Sequence, residues 1–404
     1  MALPREHLIS EEGELREVAI VGVGMTKFGV SEKTQVEMFA EAAMDAINTS
    51  NLKLKDIQAV YIGNADGNVE EGQAVMAPMC AADIGLNGLP ATSFQGACSS
   101  GTLAVINAFV WVGSGMFDIV LAGGTERQRT MSTSLATRVM GFGVHSKYET
   151  PTGLSFPGIF AMMAHLYSEK YKIPLPELKE AMARVSFKAH KWGCINPKAQ
   201  FFGKEVTMQQ IYESAMVASP LQVYDCCPIS DGAAAVVVTT MDIAKKLTKK
   251  PVQIIGIGQG SSGGISTQKD ITRIPAREMS AKRAYEMADT EPSDVDVCEL
   301  HDCFTIAEIV ASEGLGFFEP GDGWKAVMRG DTDMGGKIPI NPSGGIKAKG
   351  HPVGATGVAQ VYEIVNQLRG ECGARQVEGA RIGMTDTMGG SFASIAHTIM
   401  RRGW

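Results

Sequence analysis

An α/β fold of two homologous halves is predicted by three features of this 404-residue sequence. Short apolar runs ending in glycine alternate with helix-permissive segments, the pattern of strands buried on both faces of a sheet. The order of these runs recurs in the second half of the chain, at similar spacing. The length also exceeds what a single core ordinarily accommodates, which suits two domains or two fused halves.

In chain order, residues 17–24 (EVAIVGVG) read as a strand, 34–48 as a helix and 57–63 as a second strand. Thr92, Ser93 and Phe94 end a further strand, and an apolar helix follows from Leu103 to about Trp111. Residues 118–124 (DIVLAGG) form the next strand, and 233–239 another. The second half echoes this. Residues 252–258 (VQIIGIG) match 18–24, and 297–300 follow PSDVD as 59–63 follow LKDIQ. HPVGATG precedes a helix over 358–368 as GACSSG precedes its own, and 381–385 lead into Met388, Gly389 and Gly390, echoing DIVLAGG. The halves are 17–245 and 251–404, with an insertion over about 125–232 in the first. That insertion carries Met140, Phe142, Phe156, Phe160, Met162, Met163, Trp192, Phe201 and Phe202, which form either a local core or a lid over an apolar pocket.

Composition narrows the class. Hydrophobic residues at 45% with 20% charged describe a globular protein, and a net charge of −7 argues against a nucleic-acid surface. Eight cysteines form no CxxC pair and no zinc-finger spacing, so no metal is expected in this chain, and neighbouring Cys226 and Cys227 are poorly placed for a disulfide. The amino terminus lacks the apolar segment of a secretory signal. The apolar stretch 106–124 is interrupted by Gly113, Gly115 and Asp118, so it reads as helix then strand, not a membrane span. A cytoplasmic protein with reduced thiols is the expectation.

Residues 94–101 (FQGACSSG) are the chemical focus. They place Cys98 at a strand-to-helix turn, where the helix N-terminus favours thiolate over thiol. The small neighbours Gly96, Ala97, Ser99, Ser100 and Gly101 would let a carbonyl approach and leave N–H groups free for an oxyanion. A buried structural cysteine is the plain alternative. Three later stretches weigh against it: ELHDCF with His301, SGGIKAKGHPVGATG with His351, and MTDTMGGS with Gly389 and Gly390. Each follows a strand or opens a helix, at the sheet edge where α/β proteins bind ligands.

The set CSSG, HDCF, GHPVGATG and a terminal glycine turn resembles the thiolase superfamily over nearly the whole chain. HDCF, where many thiolases carry Asn-Glu-Ala-Phe, is similar to the sterol-carrier-protein-type thiolases and their archaeal relatives. The resemblance implies a five-layered αβαβα core with an inserted loop domain, and coenzyme A as a substrate. It implies Cys98 as the acyl-accepting nucleophile, His351 as its base and His301 as the group that stabilises an enolate oxygen. Backbone N–H groups of Cys98 and of the turn at Gly389 and Gly390 would hold the second oxyanion. The implied reaction is ping-pong cleavage of a 3-oxoacyl-CoA.

One departure stands out. Many thiolases carry a second cysteine in the last glycine turn, where this chain has Thr385, Asp386 and Thr387. Asp386, His301 or His351 would then handle the α-carbon proton. Relatives lacking this cysteine include thiolases paired with a small zinc-ribbon/OB-fold subunit, and the chain resembles the catalytic subunits of such pairs that act on 2-benzoylsuccinyl-CoA in anaerobic toluene degradation. The family resemblance implies a dimer or dimer of dimers packed through the first-half sheet, and a homodimeric core recruiting the small subunit would give a heterotetramer. Alternatives are an acetoacetyl-CoA thiolase, a decarboxylating ketoacyl synthase or a non-catalytic thiolase-like scaffold. Lys188, His190, Lys191, Lys347 and Lys349 are candidate contacts for coenzyme A phosphates, against the plain reading of solvated surface charges.

Overall fold

The computed structural model describes residues 15–404, so the expectation about the amino-terminal leader falls outside the described residues. Eleven strands are present among them: β1 (Val18–Met25), β2 (Ala59–Gly63), β3 (Ala91–Phe94), β4 (Ile119–Arg127), β5 (Met216–Ala218), β6 (Leu221–Gln222), β7 (Asp231–Thr240), β8 (Val252–Ser261), β9 (Val297–Glu299), β10 (Ile382–Gly389) and β11 (Ser394–Arg402). Nine of these join in one mixed sheet of order β3-β2-β4-β7-β1-β8-β11-β10-β9, while β5 and β6 form a separate hairpin.

The sheet repeats about its middle. Outward from β1 lie the antiparallel β7, then β4, then β2 and β3 parallel to each other. Outward from β8 lie the antiparallel β11, then β10, then β9 parallel to it, and Ile340 bridges Cys298 where β3 lies in the first half. The seam between β1 and β8 pairs only Val18, Ala19 and Ile20 with Ile254, Gln253 and Val252.

Two helices fill the space between the sheet's two ends. The helix Ser100–Gly113 packs on β2, β4 and β7, the helix Thr356–Arg369 packs on β9 and β10, and the two touch each other. Their Ala104, Val105, Ala108, Val358, Val361 and Ile364 share one core with Val18 and Ile20 of β1. The other face of β1, Ala19 and Val21, buries against the helix Gln35–Thr49. A reciprocal capping box starts that helix, with Thr34 accepting from the Glu37 N–H and Glu37 from the Thr34 N–H. On the far side the helix Pro275–Ala288 covers β8 and β11. Helix, sheet, helix, sheet and helix thus make five layers. The glycines in VGVG and GIGQG have a shared purpose: a Cβ on Gly22 or Gly24 would strike carbonyls of the first covering helix, and one on Gly256 or Gly258 those of the second. Helix backbone can lie directly on the strand only where no side chain intervenes.

Between β4 and β7 the chain forms an α-helical excursion that packs on the second half. Its helices Phe156–Tyr171 and Leu175–Cys194 bury Phe160, Met163, Tyr167 and Leu178 with Phe304, Ile306 and Val310. Both sequence readings of its apolar residues have a place here. Met163 is core, whereas Met140, Phe142, Phe156 and Phe160 line a cavity. No helix of the described residues is long and apolar enough to cross a membrane.

Candidate active site

Cys98 lies in the tight turn Ala97–Ser99, between β3 and the helix Ser100–Gly113. The turn is held by its own polar atoms: the Ser100 hydroxyl accepts from the Gly96 N–H at 2.9 Å and donates to Ala97 O at 2.6 Å. Ala97 takes a left-handed φ of 49°, a strained conformation for a residue with a Cβ, immediately before the thiol. Gly389 permits the approach from the other side, since a Cβ there would strike the Gly96 carbonyl and stand 3.2 Å from the Cys98 N. The backbone N–H groups of Cys98 and Gly390 both point at the Cys98 sulfur and favour its anion. Gly390 is in turn fixed by the Ser391 N–H, which donates to Gly143 O at 2.9 Å.

His351 comes from the loop that opens the helix Thr356–Arg369, and His301 from the residues just after β9. The Cys98 sulfur and one ring nitrogen from each histidine lie within 4.8 Å of one another. The two rings are 5.3 Å apart and nearly perpendicular, at 75°. Nδ1 of His351 is 2.7 Å from the Thr356 hydroxyl, and that hydroxyl donates to Pro352 O at 3.0 Å. With its one proton so used, the hydroxyl accepts from Nδ1–H, which leaves the Nε2 lone pair of His351 for another proton.

Burial shifts all three groups toward neutrality. His351 is pushed down to about 4 and His301 well below its ordinary value, by burial first and then by the neighbouring His351 and Arg277. The Cys98 thiol is pushed up to about 12, by burial and then by Asp66. The helix N-terminus and the two N–H groups favour the thiolate, and burial acts against them, toward the thiol. Proton removal needs a base at the moment of attack.

Asp386, a candidate base from sequence, points away from the cavity. Its carboxylate takes Arg277 Nε at 2.9 Å and Nη2 at 3.1 Å, accepts from the His301 N–H at 3.3 Å, and has His397 Nδ1 at 3.4 Å. It is fully buried beneath His301, which it positions. Thr387 is equally committed, its hydroxyl donating to Ala396 O at 3.2 Å and lying 2.8 Å from the Thr102 hydroxyl. The coenzyme A phosphate candidates are also corrected. Lys188 is buried in an ion pair with Glu308, Lys349 in one with Glu299, and Lys347 donates to Cys226 O at 2.6 Å. His190 is buried with Nδ1 2.8 Å from Ser186 O; only Lys191 is exposed, beside Asp333 at 3.4 Å.

The cavity at Cys98, about 120 Å³, is walled by Val139, Met140, Phe142, Phe156, Phe160 and Phe304. Phe160 stacks on Phe304 at 4.4 Å, a rigid wall. Sequence reading missed five polar liners: Asp66, Gln95, Gln128, Cys227 and Cys303. The signal for Gln128 lay in the run Glu126-Arg127-Gln128-Arg129 at the carboxyl end of a buried strand, and that for Cys303 in HDCF itself.

Residues 18–242 match the family model for the thiolase N-terminal domain, and residues 258–402 the model described as thiolase C-terminal domain-like. The chain belongs to the thiolase family. It is 41% identical over 390 residues to an acetyl-CoA acetyltransferase of Methanothermobacter thermautotrophicus, covering 96% of this chain and 100% of that protein. It is 36% identical over 382 residues to the benzoylsuccinyl-CoA thiolase subunit BbsB of Thauera aromatica, covering 93% and 95%. Sterol carrier protein 2 of Bos taurus is 34% identical over 399 residues, covering 95% of this chain and 72% of that protein. Among solved structures, the Ltp2-ChsH2(DUF35) aldolase superposes with a TM-score of 0.81 at 24% identity, covering 96% and 98%. Human mitochondrial 3-ketoacyl-CoA thiolase in complex with CoA superposes with 0.74 at 18% identity, covering 97% and 99%. This thiolase is thus an acyltransferase that uses coenzyme A thioesters.

Proposed function

We propose that this thiolase cleaves a 3-oxoacyl-CoA through an acyl-Cys98 intermediate, with an aromatic acyl group such as the benzoyl of 2-benzoylsuccinyl-CoA as its cargo. The observation that carries the reading is the convergence of Cys98, His301 and His351 within 4.8 Å at one end of an aromatic-walled cavity. In the first half-reaction Nε2 of His351 takes the Cys98 proton as sulfur attacks the keto carbon. The N–H groups of Cys98 and Gly390 hold the oxyanion that forms. The α–β carbon bond breaks as that oxyanion collapses, and the electron pair passes to the departing thioester as an enolate. His301 donates to its oxygen, and the proton on His351 returns to the α-carbon, giving the shorter acyl-CoA. In the second, the coenzyme A thiol gives its proton to His351 and attacks the acyl carbon, and Cys98 leaves and is reprotonated. Cys303, a thiol on the same wall, is the competing α-carbon donor; comparing enolate protonation in Cys303→Ala separates the two.

The test is intact mass after mixing with benzoylsuccinyl-CoA or acetoacetyl-CoA, with Cys98→Ala as control. A benzoyl adduct supports the aromatic reading, and its absence on Cys98→Ala places it on that sulfur. Acetyl alone selects the second reading, an acetoacetyl-CoA thiolase, which the similarity to the acetyl-CoA acetyltransferase of Methanothermobacter thermautotrophicus favours. No adduct at all overturns the assignment to Cys98. A small partner subunit belongs to the proposal because BbsB is itself named a subunit. Homodimerisation through β3 belongs to it because that strand is a sheet edge with Thr92 and Ser93 exposed. Eight free cysteines support a reducing, cytoplasmic compartment.

A further inference from the structure

Gln128 is 1% exposed, lines the Cys98 cavity, and neither its amide nitrogen nor its amide oxygen has a hydrogen-bond partner. Buried side-chain amides are ordinarily satisfied, so an unpartnered one in a cavity wall points to what the cavity receives. Its backbone is not loose: the Gln128 N–H bonds Asp231, and its carbonyl accepts from the Met131 N–H at 3.3 Å. Asp66 lines the same cavity and makes no side-chain hydrogen bond or ion pair, although its own N–H is held by Glu126 at 3.1 Å. The remaining lining is dominated by aromatic, aliphatic and sulfur-bearing side chains.

Resting on the thiolase reading above, we propose that Gln128 and Asp66 form a polar subsite that recognises a neutral hydroxyl on the acyl group carried by Cys98. A hydroxyl both accepts and donates, so it can take the Gln128 N–H while giving its proton to Gln128 Oε1 or to the Asp66 carboxylate. A carboxylate on the same acyl group would accept from Gln128 but has no proton to give, and it would bring a further charge against Asp66 and Glu126, whose own charge burial already disfavours. The nearby Arg127 is engaged with Glu71 at 3.0 Å and does not offset that charge. Burial raises Asp66 to about 6 and Glu126 to about 7, as expected where several carboxyl groups crowd one dry wall. The subsite therefore favours a hydroxylated relative over the plain benzoyl group named above, which it still admits, and excludes anionic acyl groups, while leaving the departing thioester unconstrained.

The test measures kcat/KM for Cys98 acylation with 3-oxo-3-phenylpropanoyl-CoA, its three ring-monohydroxylated analogues and a ring-carboxylated analogue. At least one hydroxylated compound is expected to exceed the parent by about tenfold or more, because a site built to bond a hydroxyl discriminates strongly against its absence. Gln128→Leu is expected to erase that preference, and Asp66→Asn to relax rejection of the carboxylated compound. Equal rates for parent and all hydroxylated analogues on the native protein overturn the proposal, as does a preference that survives in Gln128→Leu. Should Gln128→Leu not fold, the native preference and Asp66→Asn decide. No adduct with any compound is a failure of the thiolase reading itself and is distinguished by that.

Discussion

Thr356→Val tests how His351 is made a base. The hydroxyl stands 2.7 Å from Nδ1 and is nearly completely buried, so no solvent replaces it. Valine has the same shape, fills the same space and cannot accept a hydrogen bond. Leaving Nδ1–H without an acceptor costs about 1–3 kcal/mol. The imidazole avoids that cost by moving its proton to Nε2, where it faces Cys98 as a donor and cannot take the thiol proton. The competent tautomer then carries the penalty, and since each ~1.4 kcal/mol is tenfold in rate, Cys98 acylation should slow by about five- to a hundredfold. Thr356→Ser keeps the hydroxyl and should stay within about threefold of the native rate. The assay is rapid mixing with a 3-oxoacyl-CoA, quenching and intact mass, with thermal melting to confirm the fold. A native acylation rate in a well-folded Thr356→Val refutes the argument, as would equal losses in the Val and Ser variants.

Other expectations follow from the same geometry. Because burial disfavours the His351 imidazolium and holds its pKa at about 4, competence is lost only as pH falls through that value. The acid limb of kcat/KM should lie near it, and a limb near the ordinary ~6.5 refutes the reading. The buried His190, His351 and His397 are all depressed to about 4. Each of these makes the unfolded chain bind more protons between about pH 4 and 6.5, while buried carboxyls such as Asp66 and Glu126 act in the opposite sense, so the histidine effect is read by difference. Relative to His190→Gln, the native protein should gain Tm as pH rises across that window, and a difference that stays flat or falls contradicts this. Arg277→Met strips Asp386 of its bidentate partner, and a melting experiment should show a loss of about 3–5 kcal/mol, largely recovered in Arg277→Met with Asp386→Leu. A thiol and two imidazoles within 4.8 Å also suit Zn²⁺. Added zinc should block Cys98 acylation and a chelator restore it; unimpeded acylation in zinc would show that the three donors cannot converge on one ion.

What the sequence disclosed was local. The apolar runs ending in glycine became β1, β2, β4, β8 and β10, because a strand buried on both faces needs continuous apolar residues and little else. The turn around Cys98 and the loops carrying His301 and His351 were visible because small residues next to reactive ones are hard to explain by packing alone. What stayed hidden depends on partners far along the chain. Lys188 looks solvated until Glu308 is brought against it, and Asp386 looks like a base until Arg277, 109 residues away, closes on it. The Cys98 thiol illustrates the same limit: its helix end is local and legible, but the burial that acts against it arises only when both halves close. Gln128 and Asp66 carry no motif, and only the cavity gives them a common direction.

The central position of β1 also bears on how the chain is born. β1 begins at Val18, yet both of its sheet neighbours, β7 and β8, begin at Asp231 and Val252. At about 5–20 residues per second, a ribosome needs roughly ten to forty seconds to make the chain between β1 and its first neighbour. Through that interval an apolar strand has two open edges and no lawful mate, the condition under which nascent chains pair wrongly or with each other. Co-translational folding of this protein is thus a matter of sheltering its first strand until its middle third has been made.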